Sequence, residues 1–319
     1  MFSGIILIIT SIALILFSSH FLILGSTSLA KKAGIPDLLT GLILVSLGSS
    51  ASELVFSILC VHYKTPDLAI GNILGSNAAN ILLILGISAT IRSVRISNIF
   101  QQKAIPILLI SVLAFTALAN DQIIDRNTSA SMFSRIDGLI LVALLILYIL
   151  YLIFLSQRLP VHKTEIIHQV SLFQSLFFLV ISIAGFIAGG VFLHQSAVIF
   201  SIDNQLSQRI IGLTLVSIVT SIPELASAIV LAVKRLPDIA LGNLIGANIL
   251  NVFFALGIAS TFGSVHYNLL FNFDISIALV FSIFLLISTY IKKMMTIDRS
   301  EGIVLIIIYL LYLSYLLIF

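Results

Sequence analysis

The sequence predicts an all-α polytopic membrane protein of about ten transmembrane helices, arranged as two inverted five-helix repeats. Three observations predict this class. The 319 residues are 60% hydrophobic and only 9% charged, apolar runs recur along the whole chain, and two long segments occur twice. A mean hydropathy of +1.21 is incompatible with a soluble surface, so we expect a lipid bilayer around the protein. The net charge of +3 predicts no nucleic-acid partner.

Each predicted helix is an apolar run between charged or turn-rich breaks, since about 20 residues cross a hydrocarbon core of about 30 Å. The first run lacks a basic region before it and a cleavage site after it, so we expect a retained helix rather than a signal peptide. The predicted helices span residues 3–25, 36–62, 67–91, 104–120, 137–155, 170–194, 208–233, 238–262, 270–291 and 302–318.

The basic residues predict the orientation of these helices. Twelve of the 16 Lys and Arg residues fall in odd-numbered connections, and the other four are Lys64, Arg126, Arg135 and Arg209. Because Lys and Arg in short loops favour the cytoplasmic side, both termini are expected outside. The compact chain, with no large regulatory loop, is typical of a prokaryotic cytoplasmic membrane protein.

Two segments of the chain are duplicated. "GLILVSLGSSASEL" (41–54) returns as "GLTLVSIVTSIPEL" (212–225), and "PDLAIGNILGSNAANILLILGI" (66–87) returns as "PDIALGNLIGANILNVFFALGI" (237–258). The offset between the copies is constant, because 224 − 53 and 251 − 80 both equal 171.

Five helices per copy is an odd number, so the second copy enters the membrane from the opposite side. Inverted repeats of this kind are typical of secondary transporters, whose substrates bind near the bilayer midplane. We therefore divide the chain into a first repeat (1–155), a polar linker loop (156–169) and a second, inverted repeat (170–319).

Glu53 and Glu224 occupy equivalent positions in the two copies. Of the 13 acidic residues, only these two lie deep within apolar runs. A charged group at that depth costs several kcal/mol and by default faces an ion pathway. No Lys or Arg occurs at the same depth, so the pair is expected to bind protons or cations and to favour a divalent cation.

The two glutamates have a structural alternative, because Ser50 and Ser221 precede them at the spacing of an S-x-x-E capping box. At membrane depth, however, a cap is needed only where a helix is broken, and broken helices mark transporter sites. Oxygen ligands at such a break suit hard cations. A break would offer the carbonyl oxygens of Ser46 and Ser217 and the hydroxyls of Ser49, Ser50, Thr220 and Ser221.

The second duplicated segment carries amide side chains on one helical face. Ser76, Asn77 and Asn80 share a stripe in the first copy, as do Asn248 and Asn251 in the second. The structural alternative is interhelical packing, in which small-xxx-small pairs bring helices together and buried Asn residues bond across them. This alternative stays open here, chiefly for Asn72 and Asn243, while Asn80 and Asn251 are candidate ligands.

The motifs G-S-S-x-x-E, T-S-x-P-E and two G-N-x-x-G-[SA]-N-x-x-N segments resemble the α-repeats of the sodium/calcium exchanger branch of the cation/calcium antiporter superfamily. The resemblance covers both copies and the ten-helix plan. It implies alternating-access antiport of Ca²⁺ against Na⁺, with ions held between the second, third, seventh and eighth helices. It also implies that the first and sixth helices slide past that core and that no ATP or other cofactor is used.

Carried over by motif position, Glu53 and Glu224 would bridge the central Ca²⁺. The resemblance implies further oxygens from Ser46, Ser49, Ser50, Ser76, Asn80, Ser217, Thr220 and Ser221. Asn251, which we include as a candidate ligand, stands where family members often have a carboxylate, and Ala247 stands where they have a serine. Two carboxylates balance one Ca²⁺ but leave three Na⁺ with an excess charge.

The leading hypothesis is therefore an antiporter that exchanges Ca²⁺ for Na⁺, with H⁺ as the alternative counter-ion. A cation channel is the second class of function, since the same oxygens could line a selectivity filter. An enzyme is not expected, because a serine with Glu but without His or Lys at depth lacks a general base. The expected partners are lipid and inorganic cations, and the sequence predicts no oligomeric state.

Overall fold

The structure, a computed structural model, describes residues 2–32, 46–96, 100–120, 131–156, 170–234, 237–291 and 295–318. Helices dominate this part of the chain, and several consist of consecutive segments. They are α1 (Phe2–Lys32), α2 (Ser46–Ser49, Ala51–Tyr63), α3 (Pro66–Ala78, Ala79–Ile84, Leu85–Ile91), α4 (Phe100–Ala104, Ile105–Ala119), α5 (Arg135–Ser156), α6 (Leu172–Asp203), α7 (Gln208–Ile211, Gly212–Val216, Ser217–Thr220, Ile222–Val233), α8 (Pro237–Leu250, Asn251–Leu256, Gly257–Phe262), α9 (Asn272–Ile291) and α10 (Arg299–Ile318).

The predicted all-α membrane fold is confirmed. Within the described residues, eight helices are long and apolar enough to cross a bilayer, and the two halves of α7, bent by 46°, together make a ninth. The predicted span 36–62 is described only from Ser46 onwards. The predicted linker 156–169 lies outside the described residues except for Ser156.

Two helices run further than the sequence predicts. α1 continues past residue 25 to Lys32, and α6 continues past residue 194 to Asp203. The apolar runs end there, but the Thr27 hydroxyl donates to the Ile23 carbonyl oxygen at 2.6 Å within α1. His194 is buried and bonded to Thr65 at 3.0 Å. Polar side chains satisfied in this way do not end a helix.

The sequence did not predict the π-helical segments of α3 and α8. Ala79–Ile84 and Asn251–Leu256 are each one turn with wider hydrogen bonding inside an otherwise regular helix. They occupy nearly equivalent positions, since 80 + 171 = 251. Such π-bulges occur often at functional sites because they redirect side chains.

The centre of the bundle is formed by α3 and α8. In the most apolar 18-residue stretch of each helix, 94% of the residues of α3 and 83% of those of α8 are buried. The corresponding share is 22% to 33% in the other single helices that could cross a membrane. The lipid-exposed helices surround them. α3 also contacts α7 backbone to backbone, since a Cβ on Gly71 would lie 2.9 Å from the Gly212 Cα. The predicted small-residue packing is therefore present beside the candidate ligands.

Four short strands, also absent from the prediction, join the connections between helices. β1 (Val94–Ile96) pairs antiparallel with β4 (Met295–Ile297), and β2 (Met132–Phe133) pairs with β3 (Val265–His266). The first ribbon joins the α3–α4 and α9–α10 connections, and the second joins α4–α5 and α8–α9. Each ribbon therefore joins loops separated by an even number of helices, as required when every helix crosses the membrane.

Candidate cation-binding site

Glu53 and Glu224 lie at the breaks of α2 and α7, in the first turn of the segments that follow Ser50 and Ser221. Both side chains are 0% exposed. Within the described part of the chain neither forms an ion pair with Lys or Arg, and the two carboxylates are close enough to interact electrostatically. Two buried like charges without a counter-charge form an environment that a cation stabilises.

Each carboxylate also has a hydroxyl from the opposite break beside it. Thr220 of α7 lies next to Glu53 of α2, and Ser49 of α2 lies next to Glu224 of α7. The two breaks therefore face each other, so that each contributes oxygens to both sides of the site.

Seven buried oxygens of the two breaks and of the helices α3 and α8 have no hydrogen-bond partner within the described residues. Buried polar atoms are paired in more than about 90% of cases, so a group of unpaired acceptors indicates a ligand set. Besides the two carboxylates, these oxygens belong to hydroxyls and amides. Among the described residues, no three or more His, Cys, Asp or Glu side chains are grouped so that they could hold a metal ion. The seven oxygens are Glu53 Oε1, Glu224 Oε1 and Oε2, Asn80 Oδ1, Asn251 Oδ1, Ser50 Oγ and Ser221 Oγ.

The capping-box alternative is wrong for both breaks. Neither Ser50 nor Ser221 makes a side-chain cap hydrogen bond, although each stands at the start of a helical segment. Both hydroxyl oxygens are buried and unpaired. Within the described residues, the two serine hydroxyls therefore make no hydrogen bond to the backbone.

The breaks do not free the carbonyl oxygens of Ser46 and Ser217, which differs from the prediction. The Ser46 carbonyl oxygen accepts from the Ser50 N–H at 2.9 Å, and the Ser217 carbonyl oxygen accepts from the Ser221 N–H at 3.1 Å. Pro223 has no N–H, so in α7 the Val219 carbonyl oxygen lacks its helical donor. Hydroxyls also lie beside the first two carbonyl oxygens, Ser49 at 3.1 Å from Ser46 and Thr220 at 3.3 Å from Ser217, and an ion would have to displace them.

Asn72 and Asn243 connect helices, as the packing alternative predicts. The Thr220 hydroxyl donates to Asn72 Oδ1 at 2.8 Å, which joins α7 to α3. The Ser46 hydroxyl donates to Asn243 Oδ1 at 3.0 Å, which joins α2 to α8. A hydroxyl that donates its proton to an amide keeps its lone pairs for a second partner.

Ser76 extends the contact between α3 and α7. Its hydroxyl lies 3.2 Å from the Thr220 hydroxyl and 3.4 Å from the Ser217 carbonyl oxygen. The Ser217 hydroxyl itself donates to the Leu213 carbonyl oxygen at 2.7 Å. The structure thus brings the predicted oxygens of α2, α3, α7 and α8 together, with Ser217 contributing through its backbone.

The sequence did not identify Ser52 as part of this site. Its hydroxyl lies 2.8 Å from Glu53 Oε2, 3.0 Å from the Ser49 carbonyl oxygen and 3.3 Å from the Thr220 carbonyl oxygen. The equivalent residue of the second copy is Pro223, which has no hydroxyl. Glu53 therefore has one unpaired oxygen and Glu224 has two. The difference between the copies at this position, Ser52 against Pro223, could have identified Ser52 from the sequence.

Comparison with known proteins assigns the chain to a family. Residues 3–155 and 174–318 match the family described as sodium/calcium exchanger protein. The inner membrane protein YrbG of Escherichia coli (strain K12) is 32% identical over 87% of this chain and 86% of its own length. The sodium/calcium exchanger MaX1 of Methanosarcina acetivorans is 25% identical over 97% of both chains.

A similar solved structure is that of the sodium-calcium exchanger NCX_Mj, soaked with Na⁺ and Sr²⁺. It superimposes with a TM-score of 0.68 at 27% sequence identity and covers 98% of each chain. The fold, the duplicated motifs and the match across both halves lead to one assignment. The chain belongs to the sodium/calcium exchanger family of membrane proteins.

Proposed function

We propose that this protein is a secondary active antiporter that exchanges Ca²⁺ for Na⁺ across the membrane by alternating access. One observation carries the proposal: seven buried oxygens of the two breaks and of α3 and α8, three of them from Glu53 and Glu224, have no hydrogen-bond partner within the described residues. Ca²⁺ takes about 6–8 oxygen ligands, with carboxylates among them. NCX_Mj and MaX1, which are named as sodium/calcium exchangers, support a transporter rather than an enzyme.

In this proposal the Ca²⁺ lies between Glu53 and Glu224 and contacts the amide oxygens of Asn80 and Asn251. Hydroxyls from both breaks complete the inner set, and backbone oxygens serve the flanking Na⁺ positions. The proposed hydroxyl ligands are Ser49, Ser50, Ser76, Thr220 and Ser221, and the proposed carbonyl ligands are Ser46 and Ser217.

H⁺ is a second candidate for the counter-ion, because the charge of the site fits two monovalent cations rather than three. Only two carboxylates lie there among the described residues, because Asn251 is an amide. Ala247 is fully buried and has no oxygen on its side chain. Two protons neutralise two carboxylates as fully as one Ca²⁺ does, whereas three Na⁺ exceed their charge by one.

We further propose the arrangement of the chain in the membrane. The first repeat is 1–155, the linker 156–169 and the inverted repeat 170–319, and both termini lie outside. The distribution of Lys and Arg supports this orientation. The compact chain favours a prokaryotic cytoplasmic membrane.

The experiment is a gradient-swap uptake assay in proteoliposomes. Vesicles loaded with Na⁺ and diluted into Na⁺-free buffer should take up radioactive Ca²⁺, whereas vesicles without a cation gradient should not. Replacing the outward Na⁺ gradient by an outward H⁺ gradient identifies the counter-ion. Ca²⁺ uptake at the same rate with either gradient and with none would indicate a channel.

Glu53→Gln and Glu224→Gln are the decisive variants. Each keeps the shape of the side chain but leaves a single charge for a divalent ion, so each should abolish uptake. Ser111→Ala is the matched control, since Ser111 is buried on α4 and its hydroxyl donates to the Leu108 carbonyl oxygen of the same helix at 2.7 Å. Full uptake by either glutamine variant would overturn the proposal.

A further inference from the structure

Four asparagines form a buried chain of amide hydrogen bonds between α3 and α8. Asn80 Nδ2 donates to Asn248 Oδ1 at 2.8 Å, and Asn248 Nδ2 donates to the Asn77 carbonyl oxygen at 3.2 Å. Asn251 Nδ2 donates to Asn77 Oδ1 at 3.0 Å. All four side chains are at most 2% exposed, so water does not compete for these bonds.

This chain fixes which atom of Asn80 remains unpaired. A backbone carbonyl can only accept a hydrogen bond, so the Asn248 nitrogen must face the Asn77 carbonyl and its oxygen must face Asn80. Asn80 then has to direct its nitrogen towards Asn248. Its Oδ1 is the atom left buried without a partner in the described structure.

The pseudo-two-fold axis relates the pair Asn251–Asn77 to the pair Asn80–Asn248. Within the described residues no bond runs from Asn77 Nδ2 to the Asn248 carbonyl oxygen, so the direction of the second pair follows from this symmetry. Asn77 and Asn248 are equivalent, as are Asn80 and Asn251, because 77 + 171 = 248 and 80 + 171 = 251. Asn248 Oδ1 accepts from Asn80 of the first copy, and Asn77 Oδ1 accepts from Asn251 of the second copy. The unpaired atom is again an oxygen, Asn251 Oδ1.

The direction of these amides decides what a cation meets. An asparagine rotated by 180° presents its NH₂ group, whose hydrogens carry partial positive charge, in place of a lone-pair oxygen. Shape alone does not distinguish the two orientations, because the oxygen and the NH₂ group are similar in size. The hydrogen-bond acceptors at positions 77 and 248 do distinguish them.

We propose that Asn248 and Asn77 are positioning residues, which hold the amide oxygens of Asn80 and Asn251, and not their nitrogens, towards the transported cation. The inference rests on the proposed function and deepens it, since it assigns cation affinity to two residues that are not themselves ligands. It also explains why amides can serve at these two positions.

The test compares Asn248→Leu in two backgrounds. Leucine has the same branched arrangement of side-chain heavy atoms as asparagine, with larger methyl groups and no acceptor. In the otherwise unchanged protein, the KM for Ca²⁺ uptake should rise about tenfold, the effect of about 1.4 kcal/mol from one lost ligand. The maximal rate should remain within about twofold of that of the unchanged protein, because the bend and the carboxylates are untouched.

The second background is Asn80→Asp. A carboxylate has an oxygen in both orientations, so it needs no acceptor at position 248 to direct it. There Asn248→Leu should change the KM less than about twofold. If Asn248 served only packing, the substitution would raise the KM by the same factor in both backgrounds, and that result would overturn the inference.

A parallel cycle uses Asn77→Leu with and without Asn251→Asp and decides the question if Asn248→Leu does not fold, as judged by its melting temperature. Equilibrium binding of radioactive Ca²⁺ to detergent-solubilised protein should show the same fold-changes as the KM. The unchanged protein is measured first in the same vesicles. If it shows no gradient-dependent uptake, the proposed function fails; if uptake is present but the two backgrounds respond equally, only the positioning role fails.

Discussion

Arg209 at the start of α7 and Asp274 at the start of α9 form an ion pair of 2.7 Å whose carboxylate side chain is 1% exposed. The Tyr312 hydroxyl of α10 donates to the other Asp274 oxygen at 2.8 Å. The Arg209 guanidinium also lies 5.4 Å from the centre of the Phe271 ring. The helices α7, α9 and α10 therefore meet at this ion pair, which is not part of the candidate site.

Asp274→Asn should lower the melting temperature of the detergent-solubilised protein. It leaves the Arg209 charge largely buried, and breaking a buried pair costs about 3 kcal/mol. Replacing both partners by leucine should cost less than the single substitution, because no charge is then left unpaired. Equal or greater loss in the double variant would show that the ion pair does not account for the stability.

Gly75→Ala should reduce uptake at least about tenfold. Its Cβ would lie 2.5 Å from the Leu213 carbonyl oxygen and 2.7 Å from the Ser217 Cβ, so α7 must move away from α3. Overpacking of this kind costs about 1–3 kcal/mol, and the movement would separate Ser76 from Thr220.

Gly190→Ala is the control for this prediction. Its Cβ would meet only the ends of the Leu59 and Val55 side chains, at 2.8 and 3.5 Å. These side chains can rotate, so uptake should remain close to normal. Similar losses in the two glycine variants would show that the α3–α7 contact has no special importance.

Ser52→Ala should raise the KM for Ca²⁺ uptake about tenfold or more, since one hydrogen bond to a charged group contributes about 1.5–3 kcal/mol. Without the Ser52 hydroxyl, Glu53 Oε2 loses the donor that lies 2.8 Å away and directs the carboxylate. Ser111→Ala removes a buried hydroxyl that is bonded to the Leu108 carbonyl oxygen within α4, and it should leave the KM unchanged. An unaltered KM in Ser52→Ala would contradict a role for this residue in directing Glu53.

Exchange should be electroneutral, since the two carboxylates balance one Ca²⁺ or two monovalent cations. Final Ca²⁺ accumulation should then change less than about twofold when a K⁺ gradient and valinomycin impose 100 mV. Three-for-one exchange moves one net charge, worth about 2.3 kcal/mol per 100 mV, and would shift the accumulation ratio about fiftyfold. The accumulation ratio at two imposed potentials distinguishes the stoichiometries.

Much of the fold could be predicted because each helix is a continuous apolar run and the motifs occur twice. The breaks could be located from Ser50 and Ser221, but not their geometry, because a proline indicates a bend only in α7, at Pro223, and α2 has Ser52 at the equivalent position. Two members of the amide chain, Asn80 and Asn251, lie within the π-segments that follow Ala78 and Leu250. Hydrophobic periodicity does not report such a local change of pitch.

The two strand ribbons have a mechanical consequence. They fasten α3, α4, α5, α8, α9 and α10 to one another at both ends of the bundle. α1 and α6 instead lie side by side along their lengths, as the contacts that a Cβ would make from Gly4 to Phe200 and from Gly25 to Ser175 indicate. Within the described residues no ribbon reaches this pair, so α1 and α6 can be displaced along the fastened block without breaking a strand hydrogen bond.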